Sequence, residues 1–219
     1  MIYLYAILDE PVQLPSLPGL DEATVETREA GGLTVAVSEH QAQPDLSNDA
    51  VLRHAQVVET LSQAGAAILP ARLGAAFADE ASLRDAVAAR RAELSAALER
   101  VRGCAEIGLR VLSPESREQP EGAVGGGEYM RARLRQATHR ERLAEALHDS
   151  LRRHARDSTQ RTRAGGQLLL DAAYLVPRAG VDAFALEVRK LERSHPELAL
   201  VCTGPWPPYS FAPAAEAAP

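Results

Sequence analysis

The chain is 219 residues long, 46% hydrophobic and 25% charged, enough apolar material for one large packed core or two smaller ones. Its richest apolar runs, Gly65 to Pro70 and Leu168 to Val176, are strand-sized and fall short of the ~20 apolar residues a membrane helix needs, so no membrane contact is expected. Cys104 and Cys202 stand far apart without Cys-x-x-Cys spacing, which excludes a dithiol or zinc framework and reads as two buried free thiols.

The net charge of −6 is unevenly spread. Residues 1 to 50 carry nine carboxylates against one base, Arg28, whereas residues 128 to 163 carry ten arginines against five carboxylates. Lys190 is the only lysine, so arginine has replaced lysine throughout and its abundance carries little information about nucleic acid. The opening Met1 to Tyr5 shows neither a basic region nor a small-residue cleavage site, and a cytoplasmic protein is expected.

In chain order, Ile2 to Leu8 is a short continuous apolar run with two tyrosines, predicting a buried central strand. Thr24 to Glu29 and Leu33 to Ser38 flank Gly31-Gly32 and predict a hairpin with one wet face. Ser47-Asn48-Asp49 supplies capping side chains ahead of Val51, Leu52, Ala55, Val58 and Leu61 at helical spacing, so a helix is expected from about 48 to 64, ended by Gly65. Ile68-Leu69-Pro70 reads as a brief edge strand. Asp79 opens a single helix whose Leu83, Val87, Leu94, Leu98 and Val101 form an apolar stripe.

From Gly103 the pattern restarts. Residues 103 to 111 alternate as a strand with one buried face. Ser113 to Gly127, with two prolines and four glycines, predicts a mobile loop. A long helix is expected from Glu128 to about Asp157, with Met130, Leu134, Ala137, Ala144, Leu147 and Leu151 on its apolar side. A hairpin joins Ser158 to Arg163 with Gln167 to Val176 through Gly165-Gly166, then a helix from Val181 to Arg193 and a strand from Leu198 to Cys202. The order strand, helix, strand, strand, helix, strand is that of the ferredoxin-like split βαβ arrangement, an antiparallel sheet covered on one face by two helices. The expected layout is a two-domain α+β protein. Residues 1–101 form a small sheet with two helices, residues 102–205 the ferredoxin-like domain, and residues 206–219 an aromatic and proline tail with a disordered end.

Motifs of chemistry are scarce. The six histidines form no metal-binding motif and read as surface residues. Gly122 to Gly127 precedes a helix but lacks the Gly-Lys-Ser/Thr of a phosphate-binding loop, and no nucleophile elbow is present. No catalytic residue, cofactor or metal site is expected, and the chain is read as a binding protein rather than an enzyme. The arginines of the long helix leave a nucleic-acid or anion binder as an alternative, disfavoured because only Tyr129 offers an aromatic platform and the chain as a whole is acidic. The plainer reading of that helix is a solvated face or a contact to an acidic protein, and the acidic first domain, within one chain or between copies, is a further candidate partner surface. The most distinctive stretch is Thr203 to Phe211, which holds the only tryptophan, Trp206, with Pro205, Pro207, Pro208, Tyr209 and Phe211. It is expected to be extended and stiff, and either to pack on the protein or to present aromatic anchors to a partner.

Taken together, these segments resemble the gas vesicle proteins of the GvpF/GvpL family over nearly the whole chain. Tyr3-Leu4-Tyr5 looks like the family's opening strand and His54 to Glu59 its first-helix signature. Leu69-Pro70-Ala71-Arg72-Leu73-Gly74 is similar to its Leu-Pro-x-Arg-Phe-Gly segment. Gly103 to Val111, Gly127-Glu128-Tyr129-Met130, Tyr174-Leu175-Val176 and the closing Gly204 to Phe211 complete the match. Leu73 stands where the family usually has Phe, Ala75 where it often has Thr and Met130 where it usually has Leu; these exchanges tolerate volume, apart from the hydroxyl absent at Ala75. The resemblance implies a non-enzymatic accessory protein, associated with the gas vesicle, that binds the small shell protein GvpA and other accessory proteins as a chaperone or nucleation factor. The alternative is a minor structural component of the shell. The candidate partner-binding residues are Leu69, Pro70, Arg72, Trp206, Pro207, Pro208, Tyr209 and Phe211.

Overall fold

The computed structural model describes residues 1–13, 17–113, 126–162 and 166–213. The fold is α+β, and the chain divides into two compact units: Met1–Ala105 together with the chain from Trp206, and Glu106–Pro205. The loop expected over 113–127 falls almost wholly outside the described residues, as do 163–165 and the end of the tail from 214.

In the first unit, β1 (Ile2–Leu8), β2 (Glu26–Ala30), β3 (Leu33–Glu39), β4 (Ile68–Pro70) and β5 (Ala76–Phe77) form one antiparallel sheet of order β2-β3-β1-β4, with β5 also on β1. Gly31 (φ +58°) and Gly32 (φ +80°) both take the left-handed conformation that a tight two-residue hairpin needs. β1 is central as expected, and its register against β3 slips by one residue between Leu4 and Ala6. This bulge places both Tyr5 and Ala6 on the face carrying Tyr3 and Leu8, where they pack with Val57, Val58 and Leu61. Those three residues lie on α1 (Asn48–Gln63), whose first turn is capped by Ser47 accepting from the Ala50 amide at 3.3 Å. Leu4 and Ile7 are left for the opposite face, with α2 (Glu80–Ala89) and α3 (Arg91–Val101).

Helices on both faces correct two expectations. Thr34 to Ser38 of β3 are all buried, so the hairpin's wet side is confined to the edge strand β2. The helix expected from Asp79 onward is two helices broken at Arg90, where φ is −110° and ψ 11°. An Ala-Ala-Arg-Arg run of good helix formers gives no sign of that break. In space, the backbone of the hairpin turn comes against the end of α2, since a Cβ at Gly31 would lie 2.5 Å from the Ala88 nitrogen.

In the second unit, β6 (Cys104–Leu112), β7 (Asp157–Thr162), β8 (Leu168–Pro177) and β9 (Ala199–Trp206) pair in the order β7-β8-β6-β9, with α4 (Gly126–Arg152) after β6 and α5 (Val181–Ser194) after β8. This is the ferredoxin-like order. Ile107, Leu109 and Val111 of β6 and Leu170, Ala172, Tyr174 and Val176 of β8 meet Leu147 and Leu151 of α4 and Phe184 and Val188 of α5. The other side of β6 is also largely buried, against expectation: Glu106 is 3% exposed and ion-paired with Arg161. Cys202 lies on edge strand β9 and is exposed, whereas Cys104 is buried as expected.

Only the C-terminal half of the predicted α4 stripe reaches the core. Leu147 and Leu151 are buried, but Met130 and Leu134 are 66% and 68% exposed and Ala137 is exposed. At 1.5 Å per residue a helix of 27 residues is about 40 Å long and outruns the strands it packs on, the longest of which has 10 residues.

Candidate partner-binding site

Four of the segments singled out in the sequence meet in the first unit, around the start of β1. The spacing of Tyr3 and Tyr5 puts both rings on the α1 face, 4.9 Å apart between centroids, and His54 enters from α1. The His54 ring stacks on Tyr5 at 5.5 Å and meets Tyr3 edge-on at 5.8 Å. It is 4% exposed, which corrects the reading of the histidines as surface residues: the position belongs to the apolar face of α1, and the imidazole is accommodated there because both nitrogens find partners.

Those partners fix its state. His54 Nε2 is 3.0 Å from the Ala71 carbonyl, which can only accept, so Nε2 carries the proton. Burial pushes the imidazole below its ordinary titration range, with the Ala71 carbonyl opposing that shift. The ring is therefore neutral, and Nδ1 accepts from the Tyr3 hydroxyl at 3.0 Å. The same hydroxyl accepts the Gly74 amide at 3.1 Å, and burial pushes the phenol up to about 12. Tyr5 accepts the Leu20 amide at 2.8 Å and is 3.0 Å from Ser38 Oγ, which in turn is 2.7 Å from His40 Nε2.

The network holds the segment after β4 from beneath. Ala71 and Gly74 are bound through the His54 and Tyr3 side chains, and the Ala71 amide donates to the Tyr5 carbonyl at 2.8 Å. Gly74 takes φ +88° and the Ala75 amide closes on the Arg72 carbonyl at 3.1 Å, so Arg72 stands exposed between two anchored points. The tail packs on the same unit. After β9 it does not stay extended: residues 209–211 form a single 3-10 turn, with the Tyr209 amide bound to the Pro207 carbonyl and those of Phe211 and Ala212 to Pro208. This turn contacts β4. Arg100 of α3 donates to the Phe211 carbonyl at 2.6 Å. Beside it an apolar cavity of about 50 Å³ lies between Leu4, Ile7, Leu69 and Phe77 of the sheet, Leu94 of α3 and Pro213 of the tail.

The eight residues singled out in the sequence thus divide. Leu69, Pro70, Pro207, Pro208 and Phe211 are buried and shape the support, whereas Arg72, Trp206 and Tyr209 hold exposed surface, Trp206 at 49% and Tyr209 at 39%. Burial of the Tyr209 phenol, with Tyr3 adding to the effect, pushes it up to about 12. Tyr3, Tyr5, Ser38 and His54 were not among the site residues expected from sequence. The signal available was a pair of tyrosines two apart in a buried strand together with one histidine on an apolar helix face.

The sequence profile described as "Gas vesicle synthesis protein GvpL/GvpF" matches residues 1–213. The chain belongs to the GvpL/GvpF family. It is similar to gas vesicle protein L of a Streptomyces species, 32% identical over 190 residues that cover 77% of this chain and 70% of the relative. It is also similar to gas vesicle protein F2 of Halobacterium salinarum, 26% identical over 215 residues that cover 96% and 91%. The crystal structure of GvpF from Anabaena shares the fold, with a TM-score of 0.81 over 98% of this chain and 99% of that one at 22% identity. GvpL/GvpF membership gives the chain a role in gas vesicle formation. Among the described residues no helix is long and apolar enough to cross a membrane.

Proposed function

We propose that the chain acts in gas vesicle assembly as an accessory protein that binds the shell subunit GvpA, as a chaperone or nucleation factor, through the exposed side chains Arg72, Trp206 and Tyr209. A shell subunit with an apolar gas-facing surface aggregates when that surface is left in water, and a binder that covers it delays the loss. The observation that carries this reading is the pair of half-exposed aromatics in a tail whose neighbours Pro207, Pro208 and Phe211 are buried. Large rings held on a rigid base lose little conformational entropy on binding, which is why Trp and Tyr dominate interface energetics. Arg72 adds a planar cation between anchored points. The protein works by association, and other accessory proteins of the vesicle are further partners of the same kind.

The test is co-elution of purified GvpA with the wild type and with a variant combining Trp206→Ala and Tyr209→Ala, alongside thermal melting of both. A variant that melts like the wild type and no longer retains GvpA supports the reading. A folded variant that retains GvpA undiminished, or a wild type that neither binds GvpA nor slows its aggregation, rejects it.

A further inference from the structure

Two surfaces that the reading above does not use are complementary to each other. On the second unit, the N-terminal half of α4 leaves the core and presents Met130 and Leu134, two-thirds exposed, flanked by the exposed cations Arg131, Arg133 and Arg135. Over Gly126 to Leu143 the helix carries five arginines against two glutamates. On the first unit, a cleft of about 510 Å³ opens between the residue 19–22 turn and the start of α1. Its rim holds Asp21, Glu22, Asp45 and Asp49, and its one cation, Arg53, is taken up by Glu22 at 3.1 Å. The cleft is not purely polar: Leu52 lines it at 69% exposure.

We propose that a second copy of this chain docks its α4 stripe in this acidic cleft, Met130 and Leu134 against Leu52 and the three arginines against the carboxylate rim. The occupant follows from the sign of the charges. Two α4 stripes would bring cations against cations, and two clefts would bring carboxylates against carboxylates, so neither surface pairs with itself. Each finds both its apolar and its charged complement on the other unit of the same sequence. Apolar side chains at the centre and opposite charges at the rim are the arrangement that gives a specific contact. Because donor and acceptor surfaces differ, the contact either is reciprocated across a two-fold axis as a dimer or repeats head to tail as a chain of copies.

The experiment is sedimentation of the full chain across a concentration series at low and high salt, with two variants checked for native circular dichroism. One carries Arg131→Glu, Arg133→Glu and Arg135→Glu, all at exposed positions of the helix. The other carries Asp45→Arg and Asp49→Arg. The wild type is expected to gain mass with concentration and to lose that gain in high salt. Each variant alone is expected to remain monomeric, and an equimolar mixture to associate again, because the unaltered helix of one meets the unaltered cleft of the other. A wild type that is monomeric throughout, association that survives either reversal, or variants that do not associate on mixing would overturn the proposal. A monomer retained on a polyanion column would assign the helix to an anionic partner and overturn it equally.

Discussion

The Tyr3 hydroxyl lies 3.0 Å from Nδ1 of His54, across the interior of the first unit, and it is the joint through which a buried strand and the covered face of α1 hold the loop that carries Arg72. Replacing Tyr3 by Phe keeps the ring but leaves the Gly74 amide and His54 Nδ1 without that partner. The expected loss is about 1–3 kcal/mol of stability, read as a lower urea midpoint at unchanged slope. An unchanged midpoint would remove the network as the support of the Arg72 loop.

The neutral state of His54 makes stability depend on pH. Burial lowers its folded titration point below the unfolded value of 6.5, so the unfolded chain binds the proton more readily. Its contribution is complete above pH ~6.5 and is lost as pH falls through the folded value. His40 and His148 are lowered by burial in the same sense. Melting curves at pH 7.5 and at about pH 5 should show a destabilisation on acidification that is smaller in His54→Gln.

Two glycines with left-handed backbones should separate by their surroundings. Gly31 and Gly65 have φ of +58° and +98°, but a Cβ at Gly31 would meet the Ala88 nitrogen at 2.5 Å and one at Gly65 meets nothing within 4 Å. Gly65→Ala should cost only the backbone term of about 1–2 kcal/mol. Gly31→Ala must also displace the end of α2, and a clearly larger shift in unfolding midpoint is expected.

The tail should divide in the same way. Phe211→Ala removes a side chain that is 3% exposed and should cost about 3–5 kcal/mol in equilibrium unfolding. Trp206→Ala removes a ring already half in water, and its melting temperature should stay close to that of the wild type. Comparable losses at both positions would make the whole tail structural.

How much of this was legible beforehand depends on the residue. The strand through Tyr3 and Tyr5, the Gly31-Gly32 turn, the Ser47 cap and the ferredoxin-like order of the second unit follow from local periodicity and turn chemistry, because those patterns are written in neighbouring positions. The break at Arg90, the burial of both faces of β3 and the exposure of Met130 and Leu134 do not, because each depends on what a distant segment covers. An apolar stripe says which side of a helix prefers to leave water, and only the length of the sheet beneath decides how much of it does. The same holds for the site: Leu69 to Gly74 and Trp206 to Phe211 stand out as unusual strings, yet which of those side chains support and which face solvent was decided by packing. His54 shows the limit most clearly, since a histidine on a helix is surface-like by type and becomes a buried, neutral link only where the Tyr3 hydroxyl and the Ala71 carbonyl converge on its two nitrogens.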